Sequence, residues 1–152
     1  MITTATRPMP KGDPGYAETM PCEPQSAKRA RSLVATALST WGIGDLLDAG
    51  TLIVDELVTN AIDHTRSRTV RVVIRRVTRD RVRIGVADTS REVPGAGMPD
   101  EDCEGGRGLV LVDALSDRWG YDLHPTWKLV WAELRSHEPT ACPEDLPSRT
   151  HP

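Results

Sequence analysis

The chain has 152 residues, 38% of them apolar, which suits one domain with a single core that needs no metal or disulfide staple. Its formal net charge of -3 argues against a nucleic-acid surface, because holding a phosphate backbone takes a positive face. No apolar run approaches the roughly 18 residues of a membrane span, and the N-terminus lacks the apolar stretch of a signal peptide. The expectation is a soluble, cytoplasmic protein with no membrane partner.

Five of the 12 prolines fall in residues 1–25 and four in residues 137–152. Both ends therefore read as flexible tails, residues 1–15 and the proline-rich residues 136–152, around a domain at 16–135. Cys22, Cys103 and Cys142 share no short metal-ligand spacing. They read as unpaired thiols in a reducing compartment.

Taken in order, the chain first offers a short strand at residues 16–20, then a turn between Pro21 and Pro24. Ser26 is placed to cap a helix over 27–40. Leu33, Val34, Ala37, Leu38 and Trp41 form its apolar side, with Lys28, Arg29 and Arg31 opposite. Gly42 and Gly44 end it. Asp45, with Asp48 three residues on, is placed to cap a second helix running to about His64. In that helix Leu52, Ile53, Leu57, Ala61 and Ile62 recur at helical spacing as the buried stripe. Glu56 and Asn60 lie one turn apart on one side, and His64 continues their row.

The period then changes. Val70, Val72 and Ile74 alternate with Arg71 and Arg75, although Val73 blurs the pattern. Thr78-Arg79-Asp80-Arg81 makes a tight turn, and Val82, Ile84 and Val86 alternate up to Asp88. This is an antiparallel hairpin with one face on the helices. The arginines at 66, 68, 71, 75, 76, 79, 81 and 83 read as its wet side, or as a surface for a protein or an anionic ligand. Residues 89–106 hold few core candidates and are either a lid or a disordered loop. Arg107-Gly108-Leu109 opens a third helix ending near Ser116 or Asp117. Strands at 119–123 and 127–134 close the domain around a turn at His124-Pro125-Thr126, with Leu129, Trp131 and Ala132 pointing inward. The order predicts an α+β fold of two layers, an antiparallel or mixed sheet with helices on one face.

Three polar features stand out. Glu56 and Asn60 either belong to a solvated helix face or border a pocket, where Glu56 can orient a hydroxyl and Asn60 can hold a metal through its carbonyl oxygen. Asp88, ending an alternating strand, is either a surface carboxylate or a buried acceptor for an exocyclic amine. Gly105-Gly106-Arg107-Gly108-Leu109 either caps an ordinary helix or lets the first turn approach phosphate. It is neither a Walker motif nor a GxGxxG fingerprint. Together the three suggest a nucleotide pocket.

In combination, Glu56-Leu57-Val58-Thr59-Asn60-Ala61-Ile62-Asp63-His64, Asp88-Thr89-Ser90 and Glu104-Gly105-Gly106-Arg107-Gly108-Leu109 resemble the ATP-binding domains of the GHKL superfamily. Within it the chain is most similar to the small bacterial anti-sigma-factor serine/threonine kinases. The resemblance covers about residues 16–135. It implies a Bergerat-type α/β sandwich with a mixed, mostly antiparallel sheet, and ATP with Mg2+ as cofactors. It implies Glu56 as general base, Asn60 as Mg2+ ligand and Asp88 as the adenine-binding aspartate. Gly106 and Gly108 become phosphate-loop glycines, Arg107, Leu109 and Lys128 nucleotide-binding neighbours, and residues 89–105 the ATP lid. The implied activity is phosphorylation of a serine or threonine on an anti-sigma antagonist, by a homodimer that also binds a sigma factor. Two departures stand beside the match: Ser90 replaces a common glycine, and Trp127-Lys128 replaces a usual glycine-lysine pair. A non-catalytic or weakly hydrolytic ATP-binding module is the alternative, and a DNA-binding regulator using the arginine-rich hairpin is a third reading.

Overall fold

Alternating valines and isoleucines on the strands and apolar stripes on the helices meet in one core. The computed structural model describes residues 7–8, 15–64, 67–89 and 104–137. The elements are β1 (Arg7–Pro8), β2 (Gly15–Pro21), α1 (Ser26–Thr40), a 3-10 turn at Gly44–Leu46, α2 (Leu47–His64), β3 (Thr69–Thr78), β4 (Arg81–Asp88), α3 (Glu104–Leu115), β5 (Arg118–Leu123) and β6 (Lys128–Arg135). The strands form one sheet in the order β1-β2-β3-β4-β6-β5. Every described pairing is antiparallel, so no parallel pair of a mixed sheet occurs among the described residues. The α+β two-layer sandwich is as expected.

Directly paired residues of an antiparallel sheet point to the same side. Val72↔Val86, Ile74↔Ile84, Val86↔Val130, Ile84↔Ala132 and Val82↔Leu134 therefore share one face. That face is buried with residues of α1, α2 and α3. Arg7–Pro8, in the stretch expected to be a tail, pairs with Ala17 and Tyr16 at the sheet edge, where proline's missing N–H is tolerated.

In α1 the expected stripe of Leu33, Val34, Ala37 and Leu38 is buried, as is Trp41 just beyond it. Ser26 does not cap the helix. The Ncap residue is Gln25, and the Ser26 hydroxyl donates instead to the Pro21 carbonyl at 2.6 Å, tying α1 to β2. Gly42 has φ 71°, the left-handed conformation that reverses a chain leaving a helix. Asp45 sits in the 3-10 turn, and its carboxylate serves a distant partner rather than the next helix as expected. It accepts from Ser136 Oγ at 2.8 Å and from the His137 N–H at 3.2 Å, pinning the chain that leaves β6.

The stripe of α2 is rotated from the expected one. Gly50, Ile53, Val54, Leu57, Val58 and Ala61 are buried, whereas Leu52 is exposed and Ile62 only half-buried. Gly50 lets α2 come close. A Cβ there would stand 3.2 Å from Leu38 Cδ1 and from Val34 Cγ1, and 3.6 Å from Ile84 Cδ1.

Strand β6 also differs. Val130, Ala132 and Leu134 face the core, while Leu129 and Trp131 lie on the outer face, half-buried. There the Arg83 guanidinium stacks on the Trp131 ring at 3.9 Å. Glu133, on the same face, is buried between Arg83 and Arg118. Arg83 of the hairpin thus covers apolar surface with its ring contact.

Candidate functional site

Asp88 is the last residue of β4 and Lys128 the first of β6, and the two are directly paired in register. Both continue the core-facing side of their strands, and they are 4% and 5% exposed. Lys128 Nζ stands 3.8 Å from Asp88 Oδ1. Burial of a charge is tolerated where an opposite charge accompanies it. Of the two expectations for Asp88, the buried carboxylate is the one found. The turn before Lys128 closes without the usual glycine. The His124 N–H donates to the Trp127 carbonyl at 2.8 Å, and the two rings stack at 3.8 Å.

Cys22 follows β2, half-buried, with its N–H donating to the Arg68 carbonyl at 2.9 Å. Burial, and then the negative charge of Asp88, push its thiol up from the usual range. The thiol thus lies within electrostatic reach of Asp88, a proximity that neither spacing nor composition signalled. Cys103 and Cys142 lie outside the described residues.

Glu56 and Asn60 are both half-buried on α2, one turn apart. The helix packs against β4, β6 and α3, so it joins the strands carrying Asp88 and Lys128 to the third helix. Burial, and then the charge of neighbouring Asp55, raise the Glu56 carboxyl above its ordinary value. Asp55 itself is held by Arg31 at 2.5 Å. A raised carboxyl is a better proton acceptor near neutral pH than an ordinary one. The Asn60 amide oxygen is a hard donor of the kind Mg2+ takes together with phosphate oxygens. Among the described residues no group of three His, Cys, Asp or Glu could hold a metal unaided. His64 is exposed in the last turn of α2.

The third helix begins at Glu104, three residues before the expected start at Arg107. Gly105, Gly106 and Arg107 thus belong to its first turn and Gly108 follows, so the glycines are helical rather than a loop leading into a helix. The first N–H groups of any helix lack acceptors within it, and they carry the positive end of its dipole. Leu109 and Val112 are buried and fix α3, which packs on α2. Trp119 Nε1 donates to Asp113 Oδ1 at 3.0 Å and fastens α3 to β5. Helix α3 ends at Leu115, with the Ser116 N–H still donating to the Val112 carbonyl at 2.9 Å. Of the expected lid at 89–105, residues 90–103, including Ser90, lie outside the described residues.

The structure thus brings Asp88 and Lys128 together directly. It places Glu56 and Asn60 on the helix that packs against both of those strands and against α3, the helix whose first turn holds the glycines. Among the described residues no helix is long and apolar enough to cross a membrane. A family model described as the histidine kinase-like ATPase domain matches residues 20–134, a span that includes all of these positions. Comparison with curated proteins gives no match.

Proposed function

We propose, for a chain that belongs to the histidine kinase-like ATPase domain family of the GHKL superfamily, that this ATP-binding domain is a serine/threonine protein kinase. In this reading it acts as an anti-sigma regulatory factor. It transfers the ATP γ-phosphate to a serine or threonine of an antagonist protein, and it works as a cytoplasmic homodimer that also binds a sigma factor. Domains of this superfamily bind ATP, generally with Mg2+.

Each role follows from chemistry. The Asp88 carboxylate accepts hydrogen bonds from the exocyclic amine of the base. First-turn N–H groups of α3 favour phosphate oxygens. Mg2+ would offset phosphate charge, held on the protein side by Asn60. Glu56 takes the proton of the acceptor hydroxyl as it attacks.

The observation that carries the reading is Glu56, a half-buried carboxyl raised above its ordinary value and set one turn before Asn60. The test is transfer of labelled γ-phosphate to a candidate antagonist by wild type and by Glu56→Ala. The variant is expected to bind ATP normally and to lose phosphotransfer by about 100-fold or more, the usual contribution of a general base. Partner regulation that survived Glu56→Ala would overturn the kinase role and leave an ATP-binding module acting by nucleotide-dependent contact.

A further inference from the structure

The scheme above asks only Asp88 to recognise the base. Lys128, implied by the resemblance to be a neighbour of the nucleotide, has no stated role in it, yet this lysine is 5% exposed and sits opposite Asp88 at the ends of adjacent strands. Lysine is among the residues least often buried. At 3.8 Å the two form an ion pair, longer than the roughly 2.7–2.9 Å of a direct charge-assisted hydrogen bond. An ammonium carries three donors and a carboxylate only acceptors. Side by side on one face of the sheet, they present an acceptor next to a donor.

That pattern is complementary to the pairing edge of adenine, where the exocyclic amine donates and the neighbouring ring nitrogen, N1, accepts. We propose that Lys128 is a specificity-determining residue that donates a hydrogen bond to N1 of adenine while Asp88 accepts from the amine. The base is then read at two points by a fixed donor-acceptor pair. The register between β4 and β6 sets its spacing. The inference rests on the nucleotide-binding reading of Asp88 and extends it.

The experiment is calorimetric titration of the full chain with ATP, 1-deaza-ATP and GTP, each with Mg2+. In 1-deaza-ATP a C–H replaces N1 and the amine is kept. Wild type is expected to bind 1-deaza-ATP about 10-fold more weakly than ATP, the usual worth of a hydrogen bond to a charged donor. Lys128→Met should weaken ATP binding by a similar factor and should no longer distinguish the two nucleotides. A lysine with only a structural role would lower both affinities together and leave their ratio unchanged. Equal binding of ATP and 1-deaza-ATP by wild type would overturn the proposal, as would discrimination that persists in Lys128→Met. GTP binding as tight as ATP binding would also overturn it, because the pair would then be reading a guanine edge. The wild-type comparison decides the matter even if Lys128→Met fails to fold. Absence of any ATP binding would bring down the nucleotide reading and this inference with it, an outcome distinct from intact ATP binding without N1 dependence.

Discussion

Glu133 is the keystone of the outer sheet face, and replacing it with glutamine tests how that face is held. Its Oε2 accepts from Arg83 Nε at 2.9 Å and Nη2 at 2.7 Å, and its Oε1 accepts from Arg118 Nε at 3.0 Å. Glu133→Gln keeps the shape and one accepting oxygen. The best arrangement leaves that oxygen on Arg83 and turns the new NH2 toward Arg118 and Arg81; Arg118 is 62% exposed and can turn to water, and Arg81, 3.5 Å from Glu133, keeps its hydrogen bond to Asp117. The remaining loss is the charge in the Arg83 contact, where the carboxylate side chain is 1% exposed. Arg83 keeps its charge, so its two hydrogen bonds pass from ion–ion to ion–neutral contacts, which costs about 2 kcal/mol at neutral pH. Burial pushes the Glu133 carboxyl up, but hydrogen bonds and charge from Arg118 and Arg83 outweigh it and hold it below its ordinary value. Its stabilisation is therefore fully present above the unfolded value of about 4.3, and it is lost as pH falls through the lower folded value. Urea unfolding followed by tryptophan fluorescence between pH 3 and 8 should show a constant gap between the two proteins above about pH 5 that closes in acid. A gap under about 0.5 kcal/mol at pH 7, or one that widens on acidification, would refute the reasoning.

Gly120→Ala would place a Cβ 2.8 Å from Trp131 Cζ2, against a ring that Arg83 holds from above. Overpacking of this kind costs about 1–3 kcal/mol, at the lower end here because β5 is an edge strand and can shift, and a changed emission maximum with an earlier urea midpoint would report it. Glu56→Gln removes a carboxyl whose folded value is raised by burial and by Asp55. Wild type binds more protons at this position folded than unfolded, so its stability falls as pH rises from the unfolded value through the raised folded one. The variant should match wild type near pH 4 and exceed it at pH 7 in paired denaturation curves, and a variant that stays level with wild type or falls below it as pH rises would contradict the burial of this group.

Local periodicity made the first helix, the arginine hairpin and the two-layer class legible, because each pattern had one apolar side. It failed where both sides were apolar. Leu129-Val130-Trp131-Ala132 has no alternation, and the choice of inward residues was made by pairing with β4 and by Arg83 and Arg118 sheltering Trp131 outside. In α2 the runs Leu52-Ile53-Val54 and Leu57-Val58 left the phase open, and close approach at Gly50 settled it. The capping roles expected of Ser26 and Asp45 went to partners in tertiary structure, Pro21 and the Ser136–His137 segment. Glycines read as a loop lie within α3. At the site, motif spacing singled out Glu56, Asn60 and Asp88. The burial of Asp88 against Lys128 is a consequence of strand register, which no single stretch of sequence states.

The most direct test of the account is calorimetric titration of Mg2+ and ATP into nucleotide-free wild type beside Asp88→Asn. The account predicts saturable one-site binding to wild type and a loss of about 10-fold or more in the variant, which gives up a charged acceptor. Wild-type protein that is folded and binds no ATP, or an Asp88→Asn variant that binds as tightly as wild type, would contradict it.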